Sequence, residues 1–434
     1  MGSSSPGRPG ASGERLSRRS LAVACVALAV AAASADSSVV ALALPQLYGD
    51  FRTTIVGVSW VLTAYNAAVA LTAIALLIAR RGLSVRAYAV GVGLFLLASA
   101  ACALAGDLAV LIVARSLQGV GAALLLAGAF RLLDVRAWSS AAAVGVAAGP
   151  ALGGALTQAF DWRAIFALQL PVALFGLLAA REHGRPDEGP VRPALVPDLA
   201  IGLLFGALVG ALFLAVLLLV AGWRYSPIHG AAVVSALPLA GLASGRIPRR
   251  SVSGGATLLA LGLVALALLP SASVVFPLCA LALCGAGLGI ALPLLSERAL
   301  AGGAVLTVAA RHVGLVASLA LVAPILAHAL PPAGRHAELQ ATRLILDAPV
   351  GLATKVPVAL DLGSAFHRAQ AGEVPDLRAP FDAHGARHDA HLARVRDDLS
   401  GAVDRTIARA FRTSFAVCAA FAAAAALIGR RFVS

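Results

Sequence analysis

Asp36 and Arg115 are charged groups set inside long apolar runs, and Tyr65 and Asn66 lie midway along a third such run. A charge in hydrocarbon costs several kcal/mol, so such a residue is a functional candidate whose partner must be found. If the runs cross a bilayer alternately outward and inward, Asp36 lies about 12 Å below the outer end of its run and Arg115 about 10 Å below the start of its own, at 1.5 Å per residue. Tyr65 and Asn66 come eight and nine residues into theirs. All four share one level. A dry site favours the neutral acid and a nearby guanidinium favours the carboxylate, so a movement that changes either one loads or releases a proton. A static ion pair that closes the bundle is the structural alternative. Gln118, one turn beyond Arg115, joins Tyr65 and Asn66 as a candidate wall of a substrate cavity.

The elements that must hold these groups follow from composition. Of the 434 residues, 60% are hydrophobic and 13% charged, against about 45–50% and 25% in a soluble domain. That excludes a water-soluble globule and a disordered chain. Apolar runs of about 20 residues, the length that spans a bilayer, recur at 21–44, 57–79, 87–105, 108–130, 138–160, 162–178, 199–221, 228–245, 255–270, 274–296, 306–329 and 411–429. The expected fold is an all-α membrane protein of twelve transmembrane helices in two six-helix halves, 21–178 and 199–429. A polar linker, 179–198, joins them, an external loop, 331–410, interrupts the second, and short tails, 1–20 and 430–434, complete the chain.

Loop charge orients the bundle. Arg80, Arg81, Arg86, Arg131, Arg136, Arg246, Arg249 and Arg250 share one side with Arg18, Arg19, Arg430 and Arg431, which makes both termini cytoplasmic in a cell membrane. Trp60, Trp138, Trp162 and Trp223 fall near span ends, as interfacial anchors do. The 331–410 segment carries ten basic and ten acidic residues, so the net charge of +13 arises in short loops and tails. It indicates positive-inside topology, not a nucleic-acid partner. From about Asp382 to Arg409 an external amphipathic helix is expected.

Other readings of the chain are weaker. The five cysteines, Cys25, Cys102, Cys279, Cys284 and Cys418, sit in apolar runs without metal-type spacing and read as small buried hydrophobes. His384, His388 and His391 would share one face of a helix, a solvated face more readily than a metal site. Arg311 and His312 lie early in the eleventh run, from where an arginine can snorkel to the inner surface. Arg18-Arg19, an apolar stretch and Ala33-Ser34-Ala35 look like a twin-arginine secretion signal. The first span is nevertheless expected to be retained, because apolarity resumes after Asp36. No nucleotide loop, catalytic triad or zinc motif appears in the sequence, so neither an enzyme nor a cofactor is expected.

The fifth run carries VGVAAGPALGG, with Gly145, Gly149 and Gly153 at four-residue intervals and Gly154 beside them. Such a ridge lets another helix approach to backbone contact, and Pro150 removes one backbone donor within it. Together with ADSSVVALALPQL, RSLQGVGAA, DWRAIFALQLP and ARHVGLVASLAL, this stretch resembles the drug:proton antiporter branch of the major facilitator superfamily. The resemblance implies that Asp36 takes part in proton coupling, that Arg115 belongs to the proton relay and that the Gly-Pro ridge is an antiporter feature. It implies an exporter, driven by protons, of a small hydrophobic or amphipathic molecule, and a monomer is expected. Two departures stand out: the branch commonly has fourteen spans, and the loop after the second span reads ALLIARRG, keeping Arg80 and Gly82 of the family's gating loop but placing Ala79 where the family has an acid. Gating is therefore expected to differ. A facilitator or importer is one alternative, and a transport-inactive membrane protein that binds a partner through its external loop is another.

Overall fold

The computed structural model describes residues 10–79, 84–179, 193–247, 251–270, 273–368, 376–386 and 389–432, and among these the regular structure is entirely helical. The first half comprises α1 (Gly10–Ala41), the short α2 (Leu44–Asp50), α3 (Ile55–Ile78), α4 (Val85–Ala103), α5 (Leu108–Gly128), α6 (Val135–Ala159) and α7 (Arg163–Ala179). In the second, α8 (Leu195–Val216) runs into a π turn, 217–222, and is followed by α9 (Pro227–Val234), α10 (Ala236–Ser244), α11 (Val252–Ala267) and α12 (Val275–Leu300). The remaining helices are α13 (Ala304–Asp347), α14 (Leu352–Arg368), α15 (Arg378–Ala383), α16 (Ala390–Ala410) and α17 (Arg412–Gly429).

Ten apolar helices of the described chain are long enough to cross a membrane, and the shorter α7 and α11 stand where the sixth and ninth spans are expected. The eighth span is α9 and α10 in succession, separated at Ser235. Several spans begin at a side-chain cap. Thr54, Ser84, Asp107, Asp134 and Ser251 each accept a hydrogen bond from the backbone N–H three residues on, satisfying a donor that the first helical turn leaves open.

Within the first half α1 packs on α6 and α7, and α5 on α3 and α4; within the second, α8 packs on α13 and α17, and α12 on α10 and α11. The halves meet chiefly where α3 lies along α13 and α6 along α9. The segment 331–410 is no open loop. Helix α13 continues through Pro331 and Pro332 to Asp347, and α14 and α16 pack back onto it, burying Ala341, Ile345, Val358, Leu399 and Val403. The amphipathic helix expected near the end of this segment is α16.

Several expectations need correction. Trp60 is 49% exposed, as an interfacial ring can be, but Trp138, Trp162 and Trp223 are buried. Each spends its indole N–H inside the protein, on the Leu126 carbonyl, the Asp50 carboxylate and the Asp404 carbonyl respectively. Their positions near span ends serve packing between helices. Cys102, Cys284 and Cys418 are buried, whereas Cys279 is exposed and Cys25 half-buried. His384 follows α15 in a turn and His391 opens α16, so the two share no helix face, and His384 bonds Asp361 at 2.8 Å. His388, the gating-loop residues Arg80 and Gly82, and most of the linker, 180–192, lie outside the described residues.

Candidate functional site

Asp36 and Arg115 meet. The guanidinium grips the carboxylate with both arms, Nη1 to Oδ1 at 2.8 Å and Nη2 to Oδ2 at 2.5 Å, and both side chains are fully buried. This two-pronged geometry is the strongest form of the pair. Helix α1 brings the acid and α5 the base. The rest of the guanidinium is also used: Nε donates to the Val61 carbonyl of α3 at 2.9 Å and Nη1 to Gln118 Oε1 at 2.5 Å. Its flat face lies over the Tyr65 ring, 4.3 Å from the centroid.

Two residues not singled out by sequence complete the network. Gln169 of α7 donates to Asp36 Oδ1 at 3.0 Å, while its carbonyl oxygen accepts from Gln118 Nε2 at 2.6 Å. The second Gln118 N–H goes to the Ser99 hydroxyl of α4 at 2.8 Å, and that hydroxyl donates to the Phe95 carbonyl at 2.7 Å. Each nitrogen of Arg115, Gln118 and Gln169 in the network thus has at least one acceptor, as burial demands. A lone amide in the middle of an apolar run, as Gln169 is in DWRAIFALQLP, was the signal available in the sequence.

The candidate cavity residues are placed differently from expectation. Tyr65 and Asn66 are buried: the phenol donates to the Ala33 carbonyl at 2.9 Å, and the Asn66 amide binds the Ser37 hydroxyl at 3.0 Å and the Leu62 carbonyl at 2.8 Å. They tie α3 to α1. With Gln118 they stand in the network and not on the wall of the cavity described next, because their polar groups are already consumed by neighbouring helices.

The span 5 ridge faces α1. A methyl added at Gly145 would fall on the backbone of Ala31, at Gly149 on the Ser38 hydroxyl and at Gly153 on the Val39 carbonyl; at Gly154 it would strike Ala231 of α9 in the other half. Ser38 also donates across the seam to the Val146 carbonyl at 3.2 Å. The helix that carries Asp36 therefore rides on the ridge. Pro150 stays within the helix and lines the cavity.

That cavity, of about 710 Å³, lies between the halves. Its walls include Val146, Ala147 and Pro150 of α6, Leu208 and Leu212 of α8, and Leu288 of α12, with Arg311 and His312 of α13. It reaches the end of the bundle that carries Arg136, Arg246 and Glu297, all three exposed. At the other end Leu44 and Leu47 of α2 share one apolar cluster with Leu217 and Leu218 of the π turn. Arg311 does not snorkel to the surface. Two turns into α13, it is covered by Phe205, with its guanidinium carbon 4.3 Å from that ring's centroid.

Fold and site together define a polytopic membrane protein with the major facilitator architecture. Over 95% of the chain it superposes on 97% of a bacterial homologue of the human lysosomal transporter Spinster, with a TM-score of 0.59 at 17% identity. Over 96% of the chain it superposes on the whole of a proton-dependent oligopeptide transporter, with a TM-score of 0.54 at 13% identity. In sequence the chain is similar to drug-resistance and export proteins of the superfamily. It is 36% identical over 154 residues to the multidrug resistance protein Stp of Mycobacterium tuberculosis, covering 32% of this chain and 28% of that one. It is 34% identical over 166 residues to the tetracenomycin C resistance and export protein of Streptomyces glaucescens, covering 36% and 31%. It is 35% identical over 162 residues to the methylenomycin A resistance protein of Streptomyces coelicolor, covering 33% and 33%. The matched stretch spans about a third of the length of each of these relatives. No protein-family model matches the chain.

Proposed function

We propose that the protein exports a small hydrophobic or amphipathic molecule in exchange for protons, by alternating access between its two halves across a cell membrane with both termini cytoplasmic. The buried Asp36–Arg115 pair carries the reading. The Arg115 guanidinium keeps its proton and the amides of Gln118 and Gln169 only donate and accept hydrogen bonds, so the Asp36 carboxylate is the group assigned the coupling proton. Protonation of Asp36 removes the charge that holds Arg115 to α1, while the guanidinium keeps its bonds to Val61 and Gln118. The α1–α5 attachment weakens and α1 is freed to shift along the glycine ridge. A ligand or proton moves such an equilibrium only by binding the two arrangements unequally, and the pair supplies that inequality. Relatives named for resistance and export support the outward direction, as does the mostly apolar cavity.

The test uses the full chain in proteoliposomes, with neutral, cationic and anionic fluorescent dyes and a pH reporter in the lumen. A proton gradient should drive dye accumulation against its own gradient, and dye should release stored protons. Asp36→Asn should abolish both while dye exchange without a gradient persists. Full gradient-driven transport in that variant would reject Asp36 as the coupling acid.

A further inference from the structure

Arg311 takes no part in the Asp36 network, yet only 9% of it is exposed. One Nη reaches the Ser34 carbonyl of α1 at 3.4 Å, the outer limit of a hydrogen bond. Its Nε has no partner, and neither has the hydroxyl of the same Ser34. Among the described residues no carboxylate pairs with it. A buried guanidinium without a counter-charge is costly, and it has five donors and no acceptor. Arg311 and the Phe205 ring beneath it both line the cavity. The adjacent His312 has its Nδ1 on the Val308 carbonyl at 2.8 Å and is otherwise turned to the same space. Among the described residues that line the mouth are Arg136, Arg246 and one acid, Glu297. Arginines at that level are accounted for by membrane orientation. Arg311, seven residues or about 10 Å into its helix, is not.

We infer that the Arg311 guanidinium forms an anion-binding subsite in the wall of the cavity. Its ligand would be an amphipathic molecule with one carboxylate or sulfonate beside an apolar body. The anion would supply the counter-charge and an acceptor that the Arg311 guanidinium lacks, while the body covers Phe205 and the aliphatic walls. Because Arg311 of one half reaches the Ser34 carbonyl of α1 in the other, the bound anion would sit beside a contact between the halves. The inference rests on the export reading for the identity of the cargo, not for binding.

The experiment compares 1-pyrenebutyrate with 1-pyrenebutanol, which shares its body and lacks its charge, binding to the full chain in uncharged detergent by fluorescence anisotropy. The wild type should prefer the anion by about tenfold, as a charge-assisted hydrogen bond gives. Arg311→Gln should lose the preference and keep its affinity for the alcohol, which certifies the fold. Arg311→Lys should keep part of it. The Arg136→Gln/Arg246→Gln double variant should keep the preference. Equal affinity of the wild type for both probes, an unchanged preference in Arg311→Gln, or loss of preference only in the mouth variant would overturn the inference. Gradient-driven export of pyrenebutanol despite equal affinities would sink the anion site alone. A preference without gradient-driven transport would sink the export reading alone.

Discussion

At the scale of single residues, the Asp36–Arg115 pair is worth most through the penalty for breaking it. Two charges taken wholly out of water repay their lost hydration only when geometry and remaining hydrogen bonds are complete, and here Val61, Gln118 and Gln169 complete them. Removing one partner strands the other. Arg115→Gln leaves Asp36 with Gln169 alone among its present donors and is expected to destabilise the folded protein by about 3–5 kcal/mol. The Asp36→Asn/Arg115→Gln double variant should recover much of that loss. Thermal unfolding of the three variants in detergent measures the coupling, and strictly additive losses would show that the pair does not act as a unit. Asp36 and Arg115 were legible in the sequence because a charge inside an apolar run has few reasons to be there. Ser99 and Ser37 were not, since a hydroxyl in a span can satisfy itself on its own helix, as Ser99 does on the Phe95 carbonyl, and the lone amide of Gln169 gave only a weak signal. Arg311 was misread for a different reason: depth along a helix can be counted, but the face on which a side chain lies cannot, and this one faces α1 and α8 rather than the interface.

At the scale of elements, the seam between α1 and α6 is the place where network and cavity touch, since one face of α6 bears the glycines against Ala31, Ser38 and Val39 and Pro150 faces the cavity. The glycines permit an approach that any larger side chain would block. Gly149→Leu should therefore abolish transport and lower Tm, because the new side chain must displace Ser38, with overpacking strain of about 1–3 kcal/mol. Gly93→Leu on α4, where nothing lies within 4 Å of an added methyl, should leave both nearly unchanged. A parallel comparison of dye efflux and Tm separates the seam from a general intolerance of leucine. If Gly149→Leu transports normally, α1 does not ride on this ridge. The four-residue spacing and the Gly-Pro step made the ridge readable in advance, and the identity of its partner helix was not, because a small-residue face specifies closeness and leaves open which helix comes close. The twelve apolar runs were read from length alone, whereas the separation of α9 from α10 and the helical build of 331–410 depend on packing that composition does not encode.

At the scale of the whole molecule, the helices that follow the eleventh span form a cap over the end of the bundle opposite the cavity mouth. Helix α16 lies against the π turn of α8, where its Asp404 carbonyl accepts the Trp223 indole N–H at 3.2 Å. The Asp404 carboxyl is pushed up to about 6 by burial, against the opposing pull of Arg378 and Arg405. A carboxyl whose value is higher in the folded protein than its ordinary 3.8 costs nothing when both states hold the proton. Its penalty grows as pH rises from about 4 through 6 and is complete above that. Docking of the cap is thus weaker at pH 7.5 than at pH 4.5, by on the order of 1–2 kcal/mol from this residue. Asp404→Asn removes the charge without removing the carbonyl that holds Trp223, so it should raise Tm at pH 7.5 and change it little at pH 4.5. Unfolding scans of wild type and variant at the two pH values test this directly. A gap of equal size at both, or one that opens only in acid, would mean that the carboxyl sits in water and that the cap is held by its apolar face alone.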